Sequence, residues 1–310
     1  GIEVTEVRQV KGLEFDYVVL LDVTAETYGD SAEARHEAFP DDTEAMIWLG
    51  RRYAYAGLYR DAIDVYSEGI ERHPGEARFF RHRGHRYITV RELDRAVEDL
   101  EHAARLTGGT RDRVEPDGIP NEAGVPRSTL QTNIWYHLGL ARYLTRDFER
   151  AAHAFRTGYR LSPNDDMRVA MADWLWLSLK RLGEDEEAAA LLAEISTGME
   201  ILENDAYRRR LLVYKGALPP DSLVGGGLAE ADPLTVATHG YGLGAWRLVQ
   251  GDEIRARQAF RRVLATGYWP AFGYIAAEAE LQAMGEAPEP VAEPSSRALK
   301  SGGGSAVESM

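Results

Sequence analysis

The chain has 310 residues, 44% of them apolar, no cysteine and a formal net charge of -14. A substantial core can therefore be buried, while disulfides, zinc–thiolate sites and thiol nucleophiles are excluded. The acidity opposes binding to a phosphate backbone, whose affinity comes from Lys and Arg, so no nucleic acid is expected as a partner. No apolar run has the length needed to cross a bilayer. No leader is visible, and the chain begins at Gly1; the cytoplasm is favoured, with a periplasmic or secreted location left open should a signal peptide precede it.

In chain order, "VRQVKGLEFDYVVLLDV" at residues 7 to 23 comes first. "VTEVRQV" and "DYVVLLDV" read as buried strands around a turn at "KGLEF". The stretch resembles a motif in the second motor domain of superfamily 1 (UvrD/Rep-like) DNA helicases. The resemblance covers residues 1–36 and implies a short α/β-like N-terminal fragment. Lys11, Gly12 and Glu14 match the motif, and Glu14 matches the acidic residue that contacts the nucleotide sugar. Arg8 stands where many members carry a histidine, and "EARH" (33–36) begins the next motif but does not continue into it. No GxxxxGK[ST] loop, which would cradle phosphates through backbone donors and a lysine, occurs anywhere in the sequence. The fragment is read as a non-functional remnant, either a natural fusion or a misjoined frame. A subunit of such a helicase, handling ATP and DNA, is the alternative.

From residue 40 to 108 the chain repeats with a 34-residue period. Leu49-Gly50, Tyr53, Gly57, Tyr59, Ala62, Tyr66, Gly69 and Pro74 form one copy; Gly84, Tyr87, Leu93, Ala96, Leu100 and Ala103 form the next. These are the small and large positions of a tetratricopeptide repeat, a pair of antiparallel helices. Residues 109–131 hold a Gly- and Pro-rich insert loop, "TGGTRDRVEPDGIPNEAGVPRSTLQ" marking its span. Residues 132–285 continue the pattern. A third copy contains Trp135, Leu138-Gly139, Phe148, Ala151, Phe155, Gly158 and Pro163, and a fourth contains Gly183, Ala188 and Leu192. A degenerate copy follows, with "ENDAYRRRLLVYKG" as its first helix and Pro219-Pro220 breaking its second. The last copy has Gly244, Gly251, Ala256 and Phe260, and "PAFGYIAAEAELQAMG" reads as a capping helix. Residues 286–310, with three prolines and "SGGGS", read as a disordered tail.

The segments "NIWYHLGLARYL" and "NDAYRRRLLVYKG" resemble an uncharacterised group of bacterial tetratricopeptide proteins. The expected fold is all-α: a right-handed α-solenoid whose first helices line a concave groove. By the register of the repeat, the groove slots hold Arg51, Tyr55, Arg78, Arg81 and His85, then Asn133, Tyr136, Leu140, Tyr143 and Leu144, then Tyr241, Ala245 and Leu248. A positive end thus runs into an aromatic and apolar stretch. The expected function is a non-catalytic interaction scaffold, binding a protein or peptide segment with an acidic end and an apolar end. A structural self-assembly element is a further alternative. His82 and His85 share a helix at a spacing open to a metal, but no carboxylate or thiol is fixed beside them, so neither metal nor cofactor is expected. No nucleophile elbow or other catalytic constellation is present.

Overall fold

The computed structural model describes residues 35–37, 39–116, 121, 123–223 and 233–286. The helicase-like stretch with Lys11, Gly12 and Glu14 lies outside the described residues, as does the tail from residue 287. The described chain is an α-solenoid of tetratricopeptide-type hairpins. Helices α1 (Thr43–Tyr55) and α2 (Tyr59–Arg72), α3 (Ala77–Thr89) and α4 (Leu93–Thr107), α5 (Leu130–Leu144) and α6 (Phe148–Leu161), and α7 (Asp165–Leu182) and α8 (Asp185–Ala193) pair in succession. Helix α9 (Asp205–Tyr214) is followed by a short 3-10 turn at Pro220–Leu223, where two prolines deny a second helix its backbone donors. Helices α10 (Pro233–Val249) and α11 (Glu253–Leu264) form the last pair, and α12 (Phe272–Ala283) packs on both.

One contact recurs in the hairpins. A Cβ added at Gly50 would lie 2.3 Å from the ring of Tyr66, one at Gly139 would lie 2.7 Å from Phe155, and one at Gly244 would lie 2.5 Å from Phe260. Gly84 stands in the same relation to Leu100. The offset is sixteen residues each time, so the second helix drives a large side chain into the notch that glycine leaves on the first. Close packing of this kind holds each hairpin at one separation. In the fourth pair the corresponding position is Trp176, which stacks on Tyr214 of α9 with ring centroids 4.3 Å apart. The notch is filled there, and α8 is correspondingly short.

The turn between paired helices needs a left-handed residue. Glycine supplies it at Gly57, Gly183 and Gly251, with φ of 78 to 81°. At the same turn the second and third hairpins carry Arg91 and Arg146, with φ of 63° and 64°. A side chain in that conformation costs roughly 1–2 kcal/mol, and both arginines reach a compensating partner. Arg91 donates to Glu278 at 2.8 Å and to the carbonyl of Trp269 at 3.0 Å, and Arg146 lies 3.4 Å from Glu280. Both glutamates are on α12, so the end of the solenoid is tied to turns near its beginning.

The inner wall is consequently closed on itself. Trp174, Tyr136, Tyr241 and Phe272 are fully buried where α5 and α7 face α10 and α12. Deep in this core Arg210 of α9 lies 2.7 Å from Asp173 of α7, both fully buried. The guanidinium sits among the rings of Trp174, Tyr207 and Tyr241 at 5.4 to 5.6 Å. Gly242 makes room for it, since a Cβ there would lie 2.3 Å from the Arg210 Nε. Among the described residues no helix is long and apolar enough to cross a membrane.

Candidate partner-binding site

The inner wall divides into two parts with different chemistry. In the C-terminal part the expected groove residues form a core. Tyr136 and Leu140 have no exposed surface, and Tyr143 and Tyr241 are buried with them. The tyrosine hydroxyls are satisfied by one another: Tyr136 Oη lies 2.6 Å from Tyr207 Oη and accepts from Trp174 Nε1 at 3.0 Å. Tyr241 donates to Tyr143 at 3.1 Å. Burial pushes the Tyr143 and Tyr241 phenols well above their ordinary range, which keeps them neutral donors. His85 belongs here too, its ring 4.2 Å from that of His137 and 5.2 Å from Phe272. Tyr136, Leu140, Tyr143 and Tyr241, expected to form a wall for a partner's apolar residues, are buried in the chain's own packing of α5, α7, α9, α10 and α12. Leaving so many rings in water would be costly at about 25 cal/mol per Å².

The N-terminal part is a carboxylate site. Arg51 comes from α1, Arg81 and His82 from α3, and Asn133 from α5, three successive first helices. The insert sends a short extended limb, Arg111 to Pro116, across them. Backbone bonds from Glu115 N–H to the Ser128 carbonyl (3.1 Å) and from Leu130 N–H to the Arg113 carbonyl (2.9 Å) hold the limb against the returning chain. An isolated bridge pairs Val114 with Thr129. Side chains of an extended segment alternate, so Val114 is 60% exposed while Glu115 is 5% exposed.

Three side chains converge on the Glu115 carboxylate. Asn133 Nδ2 donates to it at 2.6 Å, Arg81 Nε lies 3.3 Å from it, and His82 Nε2 lies 3.0 Å from it. Arg51 donates to the carbonyl of the next residue, Pro116, at 2.9 Å. Its other nitrogens donate to the hydroxyl of half-buried Tyr55 at 3.1 and 3.3 Å, and its guanidinium stacks on Trp48. Arg81 also donates to His82 Nδ1 at 2.8 Å. A guanidinium has no acceptor, so Nδ1 must accept and the imidazole proton sits on Nε2, facing the carboxylate.

Electrostatics follow from this geometry. Burial alone would raise the Glu115 carboxyl, but Arg81, His82 and Arg51 outweigh it and hold the group well below the usual carboxylate range. His82 is pushed down to about 4 by its burial and by the Arg81 charge beside it, so it is neutral near pH 7. The site is thus an anionic carboxylate held by two cations and two neutral donors.

Arg78 is not part of this cluster. It pairs with Glu76 at 2.9 Å and with Glu44. His82 and His85 face different neighbours, one toward Glu115 and the other toward His137, so they do not form the pair weighed for a metal. Glu115 was missed in the sequence, although an acidic residue in an insert beside a run of inner-wall arginines is a legible signal of charge complementarity. The Asp173–Arg210 pair was missed as well.

No protein-family model matches the sequence, and no curated protein matches it. Among solved structures the chain is similar to YrrB, described as a TPR protein with an unusual peptide-binding site, at 13% identity over 81% of this chain and 97% of that one, with a TM-score of 0.43. It is similar to the MamA protein at 16% identity over 63% of this chain and 95% of that one, with a TM-score of 0.41. A tetratricopeptide repeat protein from Parabacteroides merdae is similar at 15% identity over 81% and 92% of the two chains, with a TM-score of 0.49. The repeat register and the glycine notches of the chain itself carry the fold.

Proposed function

We propose that the protein is a non-catalytic interaction scaffold that recognises an extended acidic segment of a partner protein at the N-terminal part of its inner wall. The observation that supports this reading is the convergence of Arg81, His82 and Asn133, from two successive first helices, on one carboxylate. Charge-assisted bonds to a desolvated carboxylate are shorter and about twice as strong as neutral ones. The Arg81 guanidinium supplies charge and the Asn133 amide a directed bond, a combination that a scattered basic surface does not offer. Arg51 adds a donor for the backbone carbonyl that follows, so the site reads an extended main chain as well as a side chain.

A peptide-display screen against the full chain tests this. Enriched ligands should carry a glutamate or aspartate, and their affinity should fall at least tenfold in an Arg51→Gln, Arg81→Gln double variant whose circular dichroism matches the parent. Ligands without acidic bias, or binding the double variant equally well, would sink the proposal.

A further inference from the structure

We infer that the limb Arg111–Pro116 is the resident ligand of the carboxylate site, and that a partner binds by supplying in trans the glutamate and following carbonyl that Glu115 and Pro116 supply in cis. This rests on the function proposed above.

The limb is held by two separable sets of contacts. One set ties the limb to the chain entering α5: the backbone bonds of Glu115 to Ser128 and of Leu130 to Arg113, and the Asp112 carboxylate accepting from the Thr129 hydroxyl and the Gln131 N–H. The other lies between the insert and the repeats, where Arg81, His82 and Asn133 take the carboxylate, Arg51 takes the Pro116 carbonyl, and Arg113 pairs with Glu76 at the start of α3. Arg51, Arg81, His82 and Asn133 all belong to hairpin helices whose positions are fixed by their own packing. These groups therefore keep their arrangement whichever chain brings the carboxylate. The limb also has the form of a bound peptide: one side chain inward, the preceding one outward, and a proline next in line to stiffen the extended backbone.

A tethered ligand competes at an effective concentration in the millimolar range. The apparent affinity of an outside segment is reduced by the fraction of time the site is empty. Weakening the cis carboxylate should raise the affinity for a trans segment, an effect opposite in sign to what a purely structural tie would give. Glu115→Gln is the apt change, since it keeps shape and acceptor capacity while removing the charge that Arg81 and Arg51 hold.

The chain has no cysteine, so Val114→Cys in the full chain gives one labelling point on the exposed side of the limb. The probe is a blocked peptide with the sequence of residues 111–116, "RDRVEP". The labelled protein should show a saturable fluorescence change with this peptide and none with its glutamine counterpart. The Glu115→Gln protein should bind the glutamate peptide at least tenfold more tightly than the parent does. Should Glu115→Gln lose its cooperative melting, the titration of the labelled parent decides alone. No change at millimolar peptide, or equal affinity for parent and Glu115→Gln, overturns the inference. If displayed ligands bind through Arg51 and Arg81 without moving the label, the limb is not the competitor, yet the proposed function stands. If neither displayed ligands nor the limb peptide bind, both fail.

Discussion

Arg81 and Arg210 both stand on first helices of the repeat and both point into the inner wall, yet their surroundings differ in one respect. Arg210 meets Asp173 from the neighbouring first helix, and three aromatic rings complete its enclosure. Its counter-charge is part of the frame. Arg81 meets Glu115, which arrives on an insert outside the repeat register. Its counter-charge is an addition to the frame. Under the proposed function, Arg81 serves recognition because its partner is separable from the repeats, whereas Arg210 is a keystone because its partner is not.

The largest expected effect lies at the keystone. Asp173→Ala leaves the Arg210 charge buried without its carboxylate, which typically costs about 3–5 kcal/mol, and chemical denaturation should show it. The corresponding change at the other region, Glu115→Ala, should cost clearly less; equal losses would abolish the distinction. The pH dependence comes next. Around His82 the facing groups are Arg81, Glu115, Arg51 and Asn133. The folded-state value of about 4 lies below the ordinary 6.5, so the unfolded chain binds the proton more readily. Stability is therefore fully present above pH 6.5 and is lost as pH falls toward 4, by about 3 kcal/mol for such a shift. Glu115, also depressed, adds its own loss in the acid limb below the ordinary carboxylate range. His82→Gln should flatten the fall between pH 6.5 and 4 in melting curves.

Two smaller effects separate packing from charge. Gly50→Ala places a methyl 2.3 Å from the Tyr66 ring, whereas Gly75→Ala meets nothing within 4 Å. Overpacking should cost about 1–3 kcal/mol at the first site, and the second should melt like the parent. Arg91→Gly relieves a left-handed side chain but removes the bond to Glu278. The two contributions oppose each other, so the net change should stay within roughly 1 kcal/mol. Hydrogen exchange on α12 should nonetheless rise, because the tie is gone even where the stability is not.

The hairpins were legible because their determinants are local. The glycine notch and its large partner recur sixteen residues apart at Gly50 and Tyr66, and again at Gly139 and Phe155. The fate of the inner wall was not, because it depends on contacts such as Tyr143 with Tyr241, 98 residues apart. No local pattern tells whether an aromatic slot will face solvent, a partner or the far end of its own solenoid. The composition held a hint: Tyr136, Tyr143 and Tyr241 are large rings with one polar atom each, a type that buries well when the hydroxyls can meet. Glu115 escaped for another reason. Loop composition marks an insert as irregular, but it does not say which of its residues points inward.

The tie between Arg91 and Glu278 spans 187 residues of chain. A linear array of repeats melts piecemeal, with each unit answering to its neighbours. Joining early turns to the final helix couples distant units, so fraying at either end is opposed by the whole body. The same contacts delay assembly, because an entropic loop of that length must close before they form, and long-range contacts slow folding. The last hairpins to leave the ribosome therefore complete the inner surface of the first, and the aromatic wall of α5 stays without its cover until they arrive.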